Sequence, residues 1–77
     1  MKNTNEKSIV VFRSRNHSMK FYDFISQRKI RAEIINTPTN LGLGCGLSIK
    51  FNNRDVGYIH RAVEYLDLYS YVGIFAV

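Results

Sequence analysis

The pattern of apolar and polar residues divides the chain into short segments with two alternating periods. Runs rich in β-branched and aromatic residues that are too short for helices predict strands. These runs are residues 8–12, 32–36, 47–51 and 71–77. The first is apolar from Ile9 to Phe12, which predicts a central strand, while the third alternates strictly between apolar and polar residues. Strict alternation predicts a strand with one buried face and one wet face.

Two longer segments repeat their apolar residues at i, i+3, i+4 and i+7, the spacing of one face of a helix. The first predicted helix spans about residues 16–28, with Ser14 or Asn16 as its N-cap. The second follows the turn at Asn52-Asn53, which should supply its N-cap, with Asp55 in its first turn. We interpret both apolar stripes as core. Their members are Phe21, Phe24, Ile25, Val56, Ile59, Ala62, Val63 and Leu66.

The resulting order is β-α-β-β-α-β, which predicts an α+β ferredoxin-like fold. A four-stranded antiparallel sheet would then carry both helices on one face, with Leu47, Ile49 and Phe51 pointing at them. Residues 1–7 are a polar tail that we expect to be disordered, and residues 8–77 form one domain. On the opposite face or at an edge, Ile35 with some of Tyr71, Gly73 and Phe75 would make an apolar patch, which predicts a weak homodimer.

The chain has 77 residues and a formal net charge of +5, which is uneven along its length. Residues 1–38 carry eight basic and three acidic groups (8 − 3 = +5), and residues 39–77 carry three of each (3 − 3 = 0). The excess suits an anionic partner such as nucleic acid or an acidic protein. We favour the explanation that Arg28 and Lys29 lie at a helix C-terminus and that the other charges are solvated surface groups. We disfavour nucleic acid, because no aromatic-rich strand typical of RNA binding is present.

No apolar run approaches the roughly 18 residues that a membrane span needs. The polar start lacks the apolar core of a secretion signal, and the single cysteine excludes an internal disulfide and a zinc site built on paired cysteines. We therefore expect a cytoplasmic protein that binds no membrane, metal or cofactor.

The loop from Thr37 to Gly46 concentrates the unusual chemistry of the sequence. It holds the only proline, Pro38, three of the five glycines and the only cysteine, Cys45. Between Gly44 and Gly46 the sulfur has no neighbouring side chains to shield it, and glycine can take φ > 0 conformations that aim N–H groups at it. Such surroundings favour the reactive thiolate.

The predicted topology brings further residues to this loop. The end of the first strand meets the start of the third, because these two strands are antiparallel neighbours in a ferredoxin-like sheet. Ser14, Arg15 and the N-terminus of the first helix should therefore lie beside Cys45, with the helix dipole favouring a thiolate. His17 lies closer to this loop than His60, which we interpret as a surface or boundary residue.

Three segments resemble the selenium/sulfur carrier protein-like family of bacteria, also known as a domain of unknown function. The family opens with a strand ending in Phe-x-Ser, then reaches a Thr-Pro segment and a small-residue loop ending in Cys-Gly. Phe12-Arg13-Ser14, Thr37-Pro38 and Cys45-Gly46 match these signatures, and the resemblance covers about residues 8–77. The chain departs from the family at two places. Asn36 stands where the family often has a second proline, and Gly42 and Gly44 stand in a loop that is commonly serine-rich in the family.

The resemblance implies that Cys45 accepts sulfur or selenium from a donor protein, as a persulfide or selenosulfide, and passes it to an acceptor. This chemistry needs one exposed, low-pKa thiol and a docking surface. The alternative is a small regulatory or ligand-binding module that grips an anion through its glycine loop and acts as an interaction partner. A phosphate-binding loop is disfavoured, because no Lys-Ser/Thr follows and the next element is a strand. A non-enzymatic domain is favoured over an enzyme, because the sequence offers no second catalytic group.

Overall fold

The fold was established from a computed structural model that describes residues 6–41 and 46–77. Its strands are β1 (Lys7–Phe12), β2 (Ala32–Asn36), β3 (Leu47–Asn52) and β4 (Tyr71–Ala76), and its helices are α1 (Arg15–Gln27) and α2 (Val56–Leu66). Two 3₁₀ turns, Thr39–Leu41 and Asn53–Asp55, flank β3. The four strands form one antiparallel sheet in the order β2-β3-β1-β4. The prediction of an α+β ferredoxin-like fold is confirmed.

The core lies between the two helices and one face of the sheet. Phe21 and Ile25 of α1, and Ile59 of α2, are fully buried against Ile49 and Phe51 of β3. The other predicted stripe residues, Phe24, Val56, Val63 and Leu66, are half-buried and pack against the same cluster. The predicted register is therefore confirmed, because a shift of one residue would turn each strand's apolar set away from the helices.

β1 is buried on both of its faces. Val10 and Phe12 belong to the core cluster under the helices, while Ile9 and Val11 alternate with them and face the other way. Ile9 and Val11 are nevertheless only 0% and 3% exposed. The continuous apolar run of the sequence reflects this double burial, since a strand that is wet on one face alternates instead.

The sheet face away from the helices is less exposed to solvent than the alternation in β3 predicts. Ser48 lies on that face opposite Val11, yet it is completely buried. Gly73 and Phe75 also lie there, and the Phe75 ring passes 3.4 Å from the position of a Cβ on Gly73. Phe75 therefore lies on the same face of the sheet as Val11, the partner of Gly73 in the ladder.

Tyr71 does not join this apolar patch. A register shift between Val11 and Phe12 pairs Phe12 with Tyr71, and the two rings approach to 5.9 Å between centroids on the helix side of the sheet. Burial raises the pKa of the Tyr71 hydroxyl above its usual value of about 10, consistent with a partly desolvated ring. Of the residues predicted for the open face, Gly73 and Phe75 therefore lie on it, and Tyr71 faces the core.

Of the two helix caps predicted from the sequence, one is confirmed and one is wrong. Ser14 is the N-cap of α1, and Arg28 and Lys29 follow the last turn, with Lys29 in the left-handed region at φ 66°. The predicted cap of α2 at Asn52-Asn53 is wrong. Asn53 begins a 3₁₀ turn, and its side-chain amide accepts a hydrogen bond from the hydroxyl of Ser8 and donates one to Glu6. The amide is occupied in tying β3 to β1 and is not available to cap a helix.

Truncating Ile59 to alanine should lower the free energy of unfolding by about 2–5 kcal/mol, because its side chain is fully buried between α2 and the sheet. The measurement is urea unfolding followed by circular dichroism. The matched control is the adjacent His60→Ala, which is exposed and should change stability by less than about 0.5 kcal/mol. Equal effects of the two substitutions would contradict the register of α2.

Weak self-association through the open face stays a prediction. Ile35, half-buried on β2, and Phe75 on β4 are the apolar groups that a second copy would cover. Sedimentation equilibrium over a wide concentration range should reveal a reversible dimer, and Phe75→Ser should weaken it. A monomer at every concentration would remove the prediction.

Candidate functional site

The loop that carries Cys45 begins and ends at fixed points, although Gly42 to Cys45 themselves lie outside the described residues. The N–H of Thr37 donates to the carbonyl oxygen of Gly46 at 2.9 Å. This bond extends the β2–β3 ladder by one step beyond the pair formed by Asn36 and Leu47. The residue directly after Cys45 is therefore held at the end of the sheet.

A buried pair of hydroxyls reinforces this point. The Oγ1 of Thr37 and the Oγ of Ser48 lie 2.7 Å apart, and the two residues are only 6% and 0% exposed. Burying a hydroxyl without a partner costs on the order of 1–3 kcal/mol, so each of these groups depends on the other. Thr37, the first residue of the loop that we expect to support the thiol, thus holds the backbone that follows Cys45 in the sequence, and half-buried Pro38 comes directly after Thr37.

The first turns of α1 also contact this backbone. Ser18 is completely buried, and its hydroxyl donates to the carbonyl oxygen of Leu47 at 2.7 Å. Ser18 precedes Phe21 and Ile25 at the helical spacing of the apolar stripe of α1, but sequence reasoning assigned it no role. A serine within an apolar stripe is the signal that could have identified it, because a buried hydroxyl requires a partner nearby.

Gly46 lies against the end of β1. A Cβ at Gly46 would stand 3.9 Å from the carbonyl oxygen of Phe12 and 3.9 Å from the Oγ1 of Thr37. The predicted meeting of the end of β1 with the beginning of β3 is therefore confirmed. The backbone of Gly46 is outside the left-handed region, and both contacts are ordinary van der Waals distances. Neither φ > 0 nor steric crowding requires a glycine at this position, and the role of Gly46 in exposing Cys45 stays a prediction.

A second polar cluster joins the N-terminus of α1 to the segment before β4. The Oγ of Ser70 accepts from the N–H of Ser14 at 3.2 Å and lies 2.6 Å from the Nδ1 of His17. The Oγ of Ser14 caps α1 by accepting from the N–H of His17 at 3.3 Å. The ring of Tyr69 meets the imidazole edge to face at 4.7 Å. Ser70 was missed by sequence reasoning, since it lies 53 residues from His17 and follows no recognisable pattern.

This end of the molecule is electropositive. The N-terminus of α1 has no acidic residue in its first turn, and Arg13 and Arg15 are exposed on either side of the capping Ser14. The partial positive charge of a helix N-terminus and two arginines act in the same direction. The distances from Ser14 and Arg15 to Cys45 stay a prediction, because Cys45 and Gly44 lie outside the described residues.

The described residues also bear on a metal site and on a membrane span. Within residues 6–41 and 46–77, no three histidine, aspartate, glutamate or cysteine side chains are grouped closely enough to hold a metal ion. Among those same residues, no helix has the length and apolar character needed to cross a membrane.

The fold and the fixed ends of the cysteine loop define a small ferredoxin-like domain whose single cysteine belongs, in the sequence, to the loop between β2 and β3. The chain belongs to the family described as "Putative Se/S carrier protein-like", whose model matches residues 7–68. The match includes all the elements named above except β4. A search of curated proteins and a search of solved structures gave no match.

The Thr37–Ser48 pair gives a prediction that separates a hydrogen bond from mere packing. Thr37→Val and Ser48→Ala should each destabilise the protein by about 1–3 kcal/mol, because each removes one hydroxyl and leaves the other buried without its hydrogen-bond partner. The double variant should cost clearly less than the sum, since no unpaired hydroxyl remains. Urea unfolding of the four proteins measures the coupling, and strict additivity would contradict it.

Proposed function

We propose that this protein carries sulfur or selenium on Cys45 as a persulfide or selenosulfide, and that it exchanges this atom with donor and acceptor proteins. Membership of the Se/S carrier protein-like family supports the proposal, because the matched segment includes the Cys45-Gly46 signature. A free thiol of this kind is kept reduced in the cytoplasm, where we expect the protein to act.

The observation that carries the proposal is the anchoring of Gly46, Leu47 and Ser48 beside the start of α1. Three hydrogen bonds fix this backbone: from the N–H of Thr37 to Gly46, between the hydroxyls of Thr37 and Ser48, and from Ser18 to Leu47. Cys45 comes one residue before this fixed point in the sequence. It is also close in sequence to backbone that contacts an electropositive helix terminus, which favours a thiolate.

The proposed transfer is a thiol exchange with no net oxidation. The Cys45 thiolate attacks the outer sulfur of a donor persulfide, R–S–SH, forming a new S–S bond. The bond between the two donor sulfurs breaks, and the donor leaves as a thiolate that takes up a proton. In the second step an acceptor nucleophile attacks the outer sulfur, and Cys45 is released as a thiolate. A donor selenosulfide, R–S–SeH, transfers selenium by the same bond changes.

Incubation with a low-molecular-weight persulfide should add the mass of one sulfur atom to the protein, mapped to Cys45 by peptide mass spectrometry. Cys45→Ser should keep the circular dichroism spectrum and carry no adduct. The bound sulfur should pass to an added thiol acceptor, with recovery of the free protein. An adduct that does not leave, or the absence of any adduct, would favour the alternative of a ligand-binding module.

Alkylation of Cys45 by iodoacetamide should be faster at neutral pH than that of a free thiol with a pKa of about 8.5, and its rate should titrate below that value. The thiolate is the reacting species, so a lowered thiol pKa raises its fraction at pH 7. Gly44→Val should slow the reaction without abolishing it, because it adds bulk beside the sulfur. Arg15→Gln should shift the titration upward if that guanidinium acts on the thiolate. Titration like an ordinary thiol would contradict activation.

A further inference from the structure

The outer surface of the helix layer contains a groove of about 360 Å³ between α1 and α2. Ala62, only 4% exposed, forms the buried part of its lining. Three aromatic rings and two guanidinium groups complete the lining. They belong to Phe24, Tyr58, Tyr65, Arg28 and Arg61.

The aromatic rings and guanidinium groups of the groove are organised by contacts with one another. The rings of Phe24 and Tyr65 stack with centroids 5.6 Å apart and planes 29° apart. The guanidinium of Arg28 lies 3.7 Å from the Phe24 ring centroid and donates to the carbonyl oxygen of Phe24 at 3.2 Å. The guanidinium of Arg61 lies 5.9 Å from the ring of Tyr58. Contact with the Phe24 ring orients the guanidinium of Arg28 and leaves its outward donors available.

None of the contacts that position these two arginines involves a carboxylate. Two cationic groups therefore border one apolar groove, and the contacts that position them do not neutralise their charge. Arg61 and Arg28 are exposed, and Tyr65 is 76% exposed, so the groove is open to solvent along its rim. Tyrosine and arginine are the residue types that most often dominate the energy of protein interfaces.

We propose that this groove is a docking site for an acidic segment of a partner protein, with an apolar side chain entering above Ala62 and carboxylates pairing with Arg28 and Arg61. Charge complementarity identifies the occupant, because planar guanidinium groups bind carboxylates through two parallel hydrogen bonds. The openness of the rim favours a protein segment over a small molecule, since small-molecule sites enclose most of their ligand.

The charges around the groove distinguish an acidic peptide from nucleic acid. Asp23 is exposed next to Phe24 on α1, and Glu64 and Asp67 are exposed close to Tyr65 at the end of α2. These carboxylates would repel the continuous phosphate charge of a nucleic acid strand, which requires a basic surface along its whole path. A peptide with a few carboxylates avoids them by pairing locally with the two arginines.

The probe for the test is a short peptide with one leucine between glutamates, added to ¹⁵N-labelled protein and followed by two-dimensional NMR. The chemical shift changes should be concentrated in the C-terminal half of α1 and along the exposed side of α2. Binding should weaken as salt is raised, because exposed ion pairs are screened. A peptide with lysines in place of the glutamates should not bind.

Arg28→Gln with Arg61→Gln should weaken binding about tenfold or more. The matched control is Arg13→Gln with Arg54→Gln, which removes the same charge from exposed positions outside the groove and should change affinity by less than about twofold. Equal loss in both double variants would overturn the proposal, because net charge alone would then explain the binding.

Two other probes complete the test. Binding of benzoate with the same shifts and affinity as the peptide would overturn the proposal in favour of a small-molecule site. Tighter binding of oligouridine than of the peptide would overturn it in favour of RNA. The described residues that line the groove belong to α1, its C-cap Arg28 and α2, and the measurement can be made on Cys45→Ser. Failure of the peptide to bind would therefore leave the carrier proposal untouched.

Discussion

The burial of β1 on both faces is the constraint on which the rest of this fold depends. Val10 and Phe12 of β1 complete the core under the helices, while Ile9 and Val11 are covered on the opposite face. A strand of this kind must lie inside the sheet, so β3 and β4 must flank it. A short chain buries a smaller fraction of its surface on folding than a larger domain does. Its stability therefore depends strongly on a strand that is buried on both faces.

The position of β1 also determines what surrounds the cysteine loop. Antiparallel pairing with β3 brings the carbonyl oxygen of Phe12 to Gly46, and the chain then enters α1 directly through its cap at Ser14. The start of α1 is thereby brought close enough for Ser18 to bond to Leu47. Serine and threonine hydroxyls satisfy the backbone and one another here without introducing charge. The electropositive character of the helix terminus is therefore retained.

The fold was predictable from the sequence because each apolar period records which faces are buried. Ile49 and Phe51 at alternate positions, and Ile59 at a helical spacing from its neighbours, follow directly from contact with a single core. The burial of Ser48 was not predictable, since a buried serine and a wet one look alike in an alternating strand. Its partner Thr37 follows from the pairing of β2 with β3, which brings the two hydroxyls together.

Other long-range polar contacts of the fold escaped sequence reasoning for the same reason. Ser70 and His17 are 53 residues apart, and Asn53 and Ser8 are 45 residues apart. Local patterns report capping and turns within a few residues, and Asn53 satisfied the local rule for a helix cap. The structure uses it to join two strands instead. Long-range polar pairs leave no periodic trace, because each depends on the assembled topology.

The two proposed surfaces lie at different points along α1. Ser18 contacts the backbone that follows the cysteine loop, and Arg28, at the other end of the helix, borders the groove. Ten residues of helix separate them, which corresponds to about 15 Å at 1.5 Å per residue. A partner burying a standard interface of about 800 Å² on each side spans such a distance. An acidic segment seated in the groove would then bring the rest of the same partner within reach of the cysteine loop, because one rigid helix joins the two surfaces.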